Sequence, residues 1–218
     1  LPAYGISCPK VIRYTSRLPR KEEVDGEDFI FQTREIIESL SEENFLVGPV
    51  RNIVQAFDLQ QIESDLKKND ILLVEIYPAL WPRLIQRLEN RMQQKITTAS
   101  VFMTAVDPAS IRNFRNKTEK AGFISSEVYK MLLNRNKDEL DDIKVRAHAA
   151  AAEIMEALSP EGRKMYDKII FSAPEGPDGE DDWTRENEPA GIARSALEEF
   201  TKFVNAVNVI NARDLKDH

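Results

Sequence analysis

Cysteine is almost absent from this sequence. Cys8 is the single one in 218 residues, so no intrachain disulfide can form, and neither a cysteine pair nor a cysteine–histidine cluster is present for zinc. That usage fits a chain kept in a reducing cytoplasm. Histidine is nearly as scarce. His148 lies in an alanine-rich stretch without a second histidine nearby and His218 is terminal, which argues against a metal site or histidine-based catalysis. Ser7, Cys8 and Ser16 have no general base at readable spacing, and none is read as a nucleophile. No apolar run approaches the roughly 20 residues that span a bilayer, and the first residues lack a signal-peptide apolar core. Basic charge is in deficit as well, with 30 Lys and Arg against 37 Asp and Glu and a net charge of -7. Nucleic acids and membrane surfaces are polyanions that reward basic faces, so neither is an expected partner and any anion site has to be local.

What is present is an ordinary globular composition, 42% hydrophobic and 31% charged, in a length that suits one α/β domain with a small inserted lobe or two small domains. Residues 11–16 (VIRYTS) are β-branched and aromatic and read as a strand, followed by a polar loop over 17–28 that holds the Asp25-Gly26 turn pair. Short β-like pieces at 29–31 and 45–50 flank a helical patch at 33–40, in which Thr33 can cap and Glu35 and Glu38 suit an early turn. Residues 59–68 predict a short helix. Residues 71–76 (ILLVEI) form a nearly continuous apolar run, the pattern of a strand buried on both faces of a parallel sheet. A helix with Pro82 in its first turn follows, its stripe made by Leu84, Ile85, Leu88 and Met92. Residues 101–106 predict another buried strand, with Asp107 and Pro108 as the N-cap and first residue of a helix. A long helix is expected over 138–158 and a last strand over 168–173. Residues 174–191 form an acidic, Pro- and Gly-rich loop, and 192–210 an amphipathic helix through Leu197, Phe200, Val204 and Val207. Strands alternating with helices predict an α/β fold with a mostly parallel sheet.

The most informative stretch runs from Tyr14 to Phe31 (YTSRLPRKEEVDGEDFIF). Arg17 and Arg20 set two guanidiniums three residues apart, with Pro19 stiffening the backbone between them. Such a pair suits a phosphate monoester, whose oxygens each accept paired N–H donors. An isolated Arg-x-x-Arg beside Glu22, Glu23 and Asp25 would ordinarily be surface decoration. Here the matches continue in order: the stretch resembles the guanylate kinase motif T-T-R-x-P-R-x-x-E-x-x-G-x-x-Y-x-F. It agrees at Thr15, Arg17, Pro19, Arg20, Glu23, Gly26 and Phe31, with Ser16 in place of Thr and Phe29 in place of Tyr. Weaker likenesses follow along the chain. Phe45-Leu46 is similar to the start of F-L-E, residues 72–76 to L-L-D-I-D, 101–108 to I-F-I-x-P-P, Ile143-x-x-Arg146 to I-x-x-R, and 166–170 to Y-D-Y-V-I.

The resemblance implies a P-loop-kinase-like parallel sheet flanked by helices over residues 1–174, with a small β-rich acceptor-binding lobe at 26–60 and a helical lid at 112–142. The acidic loop at 175–191 and the C-terminal helix at 192–218 lie beyond it. It also implies roles. Arg17, Arg20, Ser16 and Phe29 would bind the acceptor phosphate, Glu23 and Glu75 would lie in the acceptor site near the metal without being direct ligands, and Arg135 and Arg146 would neutralise charge during transfer. The cofactors would be ATP and Mg2+, and the acceptor a nucleoside monophosphate or similar phosphate ester.

Several family features are missing. The loop G-x-x-G-x-G-K-[ST], whose backbone N–H groups and lysine cradle ATP phosphates, is expected upstream of Tyr14. The residues before it contain only Gly5 and Lys10, and no Gly-Lys-Ser or Gly-Lys-Thr occurs anywhere. The base-reading glutamate after F-L is Val47, G-N-Y-Y-G-[TS] becomes Arg51-Asn-Ile-Val-Gln-Ala56, and Tyr77 replaces the second acid of D-I-D. Three readings stay open: a kinase whose loop lies upstream of Leu1, a kinase for another ester such as a sugar phosphate, or a non-catalytic module that binds a phosphorylated ligand or peptide.

Overall fold

The opening segment takes its orientation from a period-two pattern: Val11, Arg13 and Thr15 are buried, whereas Ile12, Tyr14 and Ser16 between them are only half-buried. A computed structural model describes residues 8–20, 23–69, 71–135, 140–172 and 195–204, with side chains for all of these except 134–135 and 140–142. The chain divides into two units, Leu1–Thr97 and Thr98–His218. Each contains helices and strands, so the architecture is mixed α/β.

In the first unit, β1 (Tyr14–Thr15), β2 (Ile30–Phe31), β3 (Phe45–Val50) and β4 (Ile53–Asp58) form one sheet in the order β2-β1-β4-β3. The β1–β2 pair is parallel and the other two are antiparallel. Between β2 and β3 lies α1 (Arg34–Glu38), capped by Thr33, whose side chain accepts the Ile36 N–H. Strand β4 is the centre of the sheet and is buried on both faces. Val54 and Ala56 meet Ile37 of α1 on one side. On the other, Phe57 and its cross-strand neighbour Leu46 meet α2 (Leu59–Leu66) and α3 (Trp81–Met92) through Leu59, Ile62, Leu84 and Leu88. Removing Leu84 and Leu88 from water contributes about 1.5–3 kcal/mol each. Burial on both faces is also why β4 escapes the period-two rule, which looks for one polar face.

Helix α3 is pinned to the sheet's edge by Arg87, which donates to the carbonyls of Phe45 (2.8 Å) and Glu43 (3.2 Å). One feature of this unit differs from the sequence reading. Residues 71–76 are not a strand buried on both faces. Leu73 pairs in parallel with the segment around Lys10, with Val11 N–H donating to the Leu73 carbonyl at 2.9 Å, and residues 71–76 are half-buried apart from exposed Glu75. Their apolar side chains are absorbed by the α3 core rather than by a second sheet layer.

The second unit pairs β5 (Val101–Thr104) in parallel with β6 (Lys168–Phe171). Asp167 anchors the start of the pair by accepting the Ser100 N–H (2.7 Å) and hydroxyl (2.8 Å). Strand β5 stops at Thr104 and leaves Met103 51% exposed, so it is buried on one face only. Asp107 accepts the Ala109 N–H at 2.8 Å, but the residues after it form turns and not a helix. The next helix, α4 (Lys117–Arg135), begins ten residues further on, where Asn116 accepts the Thr118 N–H at 2.8 Å. Helix α5 (Leu140–Ala157) packs on α4 through Ile143, Ala147, Ala151 and Ile154 against Ile124, Val128 and Leu132. A short α6 (Gly162–Met165) leads into β6, and α7 covers 195–204 with Ala196 and Val204 buried. The acidic loop expected over 174–191 lies outside the described residues. No described helix is long and apolar enough to cross a membrane.

Candidate phosphate-binding site

A left-handed glycine sets the floor of the site. Gly26 has φ +82°, which few side chains tolerate, and its N–H donates to the Phe29 carbonyl at 2.8 Å. Asp25 accepts the Phe31 N–H (2.9 Å) and Asp28 the Val24 N–H (2.8 Å), closing a tight turn. The turn delivers Phe29 and Phe31 beside β1 with ring centroids 5.7 Å apart. Phe29 is buried, and three cations gather on it: Arg17 at 4.6 Å, Arg13 at 4.7 Å and Lys10 at 5.5 Å from the centroid. Arg17 also lies 5.5 Å from the Phe31 ring. The negative face of the ring attracts such groups, most strongly where water is excluded.

Glu23 grips the end of the Arg17 guanidinium. Nη1 donates to Oε2 at 2.6 Å, Nη2 donates to Oε1, and Nη1 donates again to the Leu18 carbonyl at 3.0 Å. Three of the five guanidinium hydrogens are thereby used. The Nε hydrogen and the second Nη2 hydrogen have no partner among the described residues, and they lie along one edge, the spacing that two phosphate oxygens match. Glu23 also accepts the Arg20 N–H at 2.8 Å, which fixes the loop carrying both arginines. Burial pushes the Glu23 carboxyl up, but the bonds from Arg17 and the Arg20 amide prevail and hold it below the usual carboxylate range.

Ser16 extends the β1–β4 ladder. Its Oγ accepts the Val54 N–H at 2.8 Å while its own N–H donates to the Val54 carbonyl at 3.0 Å. The hydroxyl hydrogen is left to donate elsewhere. Arg20 is exposed on the loop three residues beyond Arg17.

Glu75 joins this cluster through other residues. The sequence places its carboxylate in a buried strand, whereas its side chain is 62% exposed and ion-paired to Arg13 at 3.2 Å and Lys10 at 3.5 Å. Crowding pushes the carboxyl up, but Arg13 and then Lys10 outweigh it and hold it below the ordinary range. Arg13 is 7% exposed and donates from Nη1 to the Glu75 carbonyl at 2.6 Å. Its Nε and the Thr15 hydroxyl are buried without a partner among the described residues. Arg17, Arg20, Glu23, Phe29 and Ser16 thus come together at the end of β1, with Glu75 reached by way of Arg13.

Arg135 and Arg146 belong to the second unit. Arg135 is the last residue of α4, with its side chain outside the description, and Arg146 is half-buried on α5. Sequence reasoning missed Arg13 and Lys10. The signal for Arg13 was available: a charge at an inward position of the Val11-x-Arg13-x-Thr15 alternation needs a partner. Nothing along the chain marks Lys10, which acquires its role by pairing with the segment around Leu73.

No family model matches the sequence. Among solved structures, the guanylate kinase from Anaplasma phagocytophilum is similar to this chain at 19% identity, covering 94% of this chain and 74% of the other with a TM-score of 0.48. At that TM-score the likeness leaves the assignment to the residues themselves.

Proposed function

We propose that this chain binds a phosphate monoester through Arg17 and Arg20, with the Ser16 hydroxyl and the Phe29 ring completing the site. The observation that carries this reading is the Arg17 guanidinium: Glu23 holds one end of it, two hydrogens on the adjoining edge have no partner among the described residues, and the ring beneath keeps it in place. Glu23 is a positioning residue that orients a donor pair before the ligand arrives, which lowers the ordering cost of binding.

The resemblance of the Tyr14–Phe31 stretch to the guanylate kinase motif makes a nucleoside monophosphate or a similar ester the natural ligand class, and the protein guanylate-kinase-like. On a phosphoryl-transfer reading, Arg135 and Arg146 would stabilise charge on the transferring group. The residues at hand include no cradle for the phosphates of ATP. No Gly-Lys-Ser or Gly-Lys-Thr loop occurs in the sequence. What these residues support is ligand binding at the arginine pair.

Calorimetric titration with GMP and with ribose 5-phosphate tests it. Both are expected to bind, more weakly as salt rises, and to lose binding in Arg17→Ala and Arg20→Ala. Binding that survives unchanged in both variants removes the arginine site from the argument.

A further inference from the structure

We infer that the ligand of this site carries a second anionic group beside its phosphate monoester, received by Arg13 and Lys10. The inference rests on the phosphate reading of Arg17 and extends it. Two cations, Lys10 and Arg13, share one carboxylate, and Glu75 gives most of its surface to water. Among the described residues one positive charge is left over in that group, in a chain whose net charge is -7. A local excess of positive charge attracts an anion.

Arg13 supplies a second and independent indication. Its side chain is more than nine-tenths buried, yet among the described residues it hydrogen-bonds only through Nη1. Its Nε–H is buried with no acceptor among the described residues. An unpaired donor on a buried charge is costly, and an oxyanion drawn up beside the guanidinium offsets that cost electrostatically without reaching Nε itself, which is closed to solvent. Lys10 is the accessible member of the pair, with 37% of its side chain exposed.

Geometry bounds the spacing of the two anions. The Arg13 and Arg17 guanidinium carbons lie 4.7 and 4.6 Å from the same Phe29 centroid, hence within about 9 Å of one another. A phosphate on the open edge of Arg17 and a carboxylate or second phosphate at Arg13 and Lys10 fit one small molecule. The class is therefore a phosphate monoester bearing a further carboxylate or phosphate a few bonds away. Arg13 and Lys10 act in this scheme as specificity residues, because they reward the second charge and not the first.

Matched probes separate the two charges. Glycerol 3-phosphate is compared with 3-phosphoglycerate, and fructose 6-phosphate with fructose 1,6-bisphosphate, by calorimetry of the whole chain at low salt. In at least one pair the doubly anionic member is expected to bind about tenfold tighter. Lys10→Gln, at an exposed position that leaves the fold intact, is expected to reduce that preference to about twofold or less while the singly anionic member binds as before. Glu75→Gln, which releases both cations, is expected to widen the preference. Equal binding within each pair, or a preference untouched by Lys10→Gln, overturns the inference and leaves the phosphate reading standing. Failure of all four probes to bind overturns both.

Discussion

Replacing Glu23 with Gln tests the clamp on which the phosphate site depends. The wild-type carboxylate accepts two bonds from Arg17 and one from the Arg20 amide. The Arg17 and Glu23 side chains are 21% and 16% exposed, between a surface pair and a buried one. Surface pairs contribute about 0–1 kcal/mol, and hydrogen bonds to charged groups about 1.5–3 kcal/mol when sheltered. Glutamine keeps one carbonyl acceptor but no charge, so a loss of about 1–2 kcal/mol is expected at pH 7, or roughly 2–8 °C in Tm for a chain of this size. The pH dependence gives the sharper reading. The Glu23 carboxyl is held below its ordinary value in the fold, so its contribution is complete above the unfolded pKa of about 4.3 and disappears as pH falls through the lowered folded value. The gap between wild type and Glu23→Gln should be full at pH 7 and close progressively below about pH 4. Urea midpoints of both proteins at pH 7, 4 and 2.5 measure it, and the comparison cancels every other carboxylate. A gap of the same size at pH 2.5, or none at pH 7, refutes the clamp.

Other expectations concern the same sheet. Arg51 occupies the two-residue turn between β3 and β4 with φ 57°. A left-handed L-residue costs about 1–2 kcal/mol and glycine's extra chain entropy about 0.5–1 kcal/mol, so Arg51→Gly should stabilise by about 0.5–1 kcal/mol in urea unfolding. A destabilised variant would show that the Arg51 side chain outweighs its backbone strain. Ser16→Ala strands the Val54 N–H and should cost about 1–2 kcal/mol, with faster amide exchange at Val54, while Ser16→Thr restores both. The 218-residue chain should show no phosphorylation of GMP by ATP above background. A turnover signal that vanishes in Arg17→Ala would prove that wrong.

The elements legible in the sequence were those whose cause is local. Thr33 opens α1 as its side-chain oxygen suggests, and Leu84 and Leu88 define the inward stripe of α3. Gly26 adopts the positive φ that the Asp-Gly pair predicts. Misreadings came where tertiary contacts decide. The apolar run at 71–76 carries the composition of a doubly buried strand, but its side chains join the α3 core and, among the described residues, its backbone pairs only through Leu73. Asp107-Pro108 has the residues of a helix start, yet Asp107 caps a turn, and the α4 start falls to Asn116. The same capping chemistry serves both structures, so spacing alone does not choose between them.

The site divides along the same line. Arg17, Arg20, Glu23 and Phe29 fall within one short stretch and are readable as a group, because a phosphate-binding loop gathers its donors in sequence. Arg13, Lys10 and Glu75 meet only after the segment around Lys10 pairs with Leu73, and no pattern along the chain links positions 62 residues or more apart. The substitution at 29 connects the two halves. A tyrosine there would offer a phenol O–H, whereas phenylalanine offers only its ring, around which Arg17, Arg13 and Lys10 gather. A ring that holds cations cannot itself hydrogen-bond an oxyanion; it can hold the guanidiniums that do. The loss of the hydroxyl thus moves the burden of recognition from the aromatic residue to the charges around it. That is why the discriminating mutations are Lys10 and Glu75 and not Phe29.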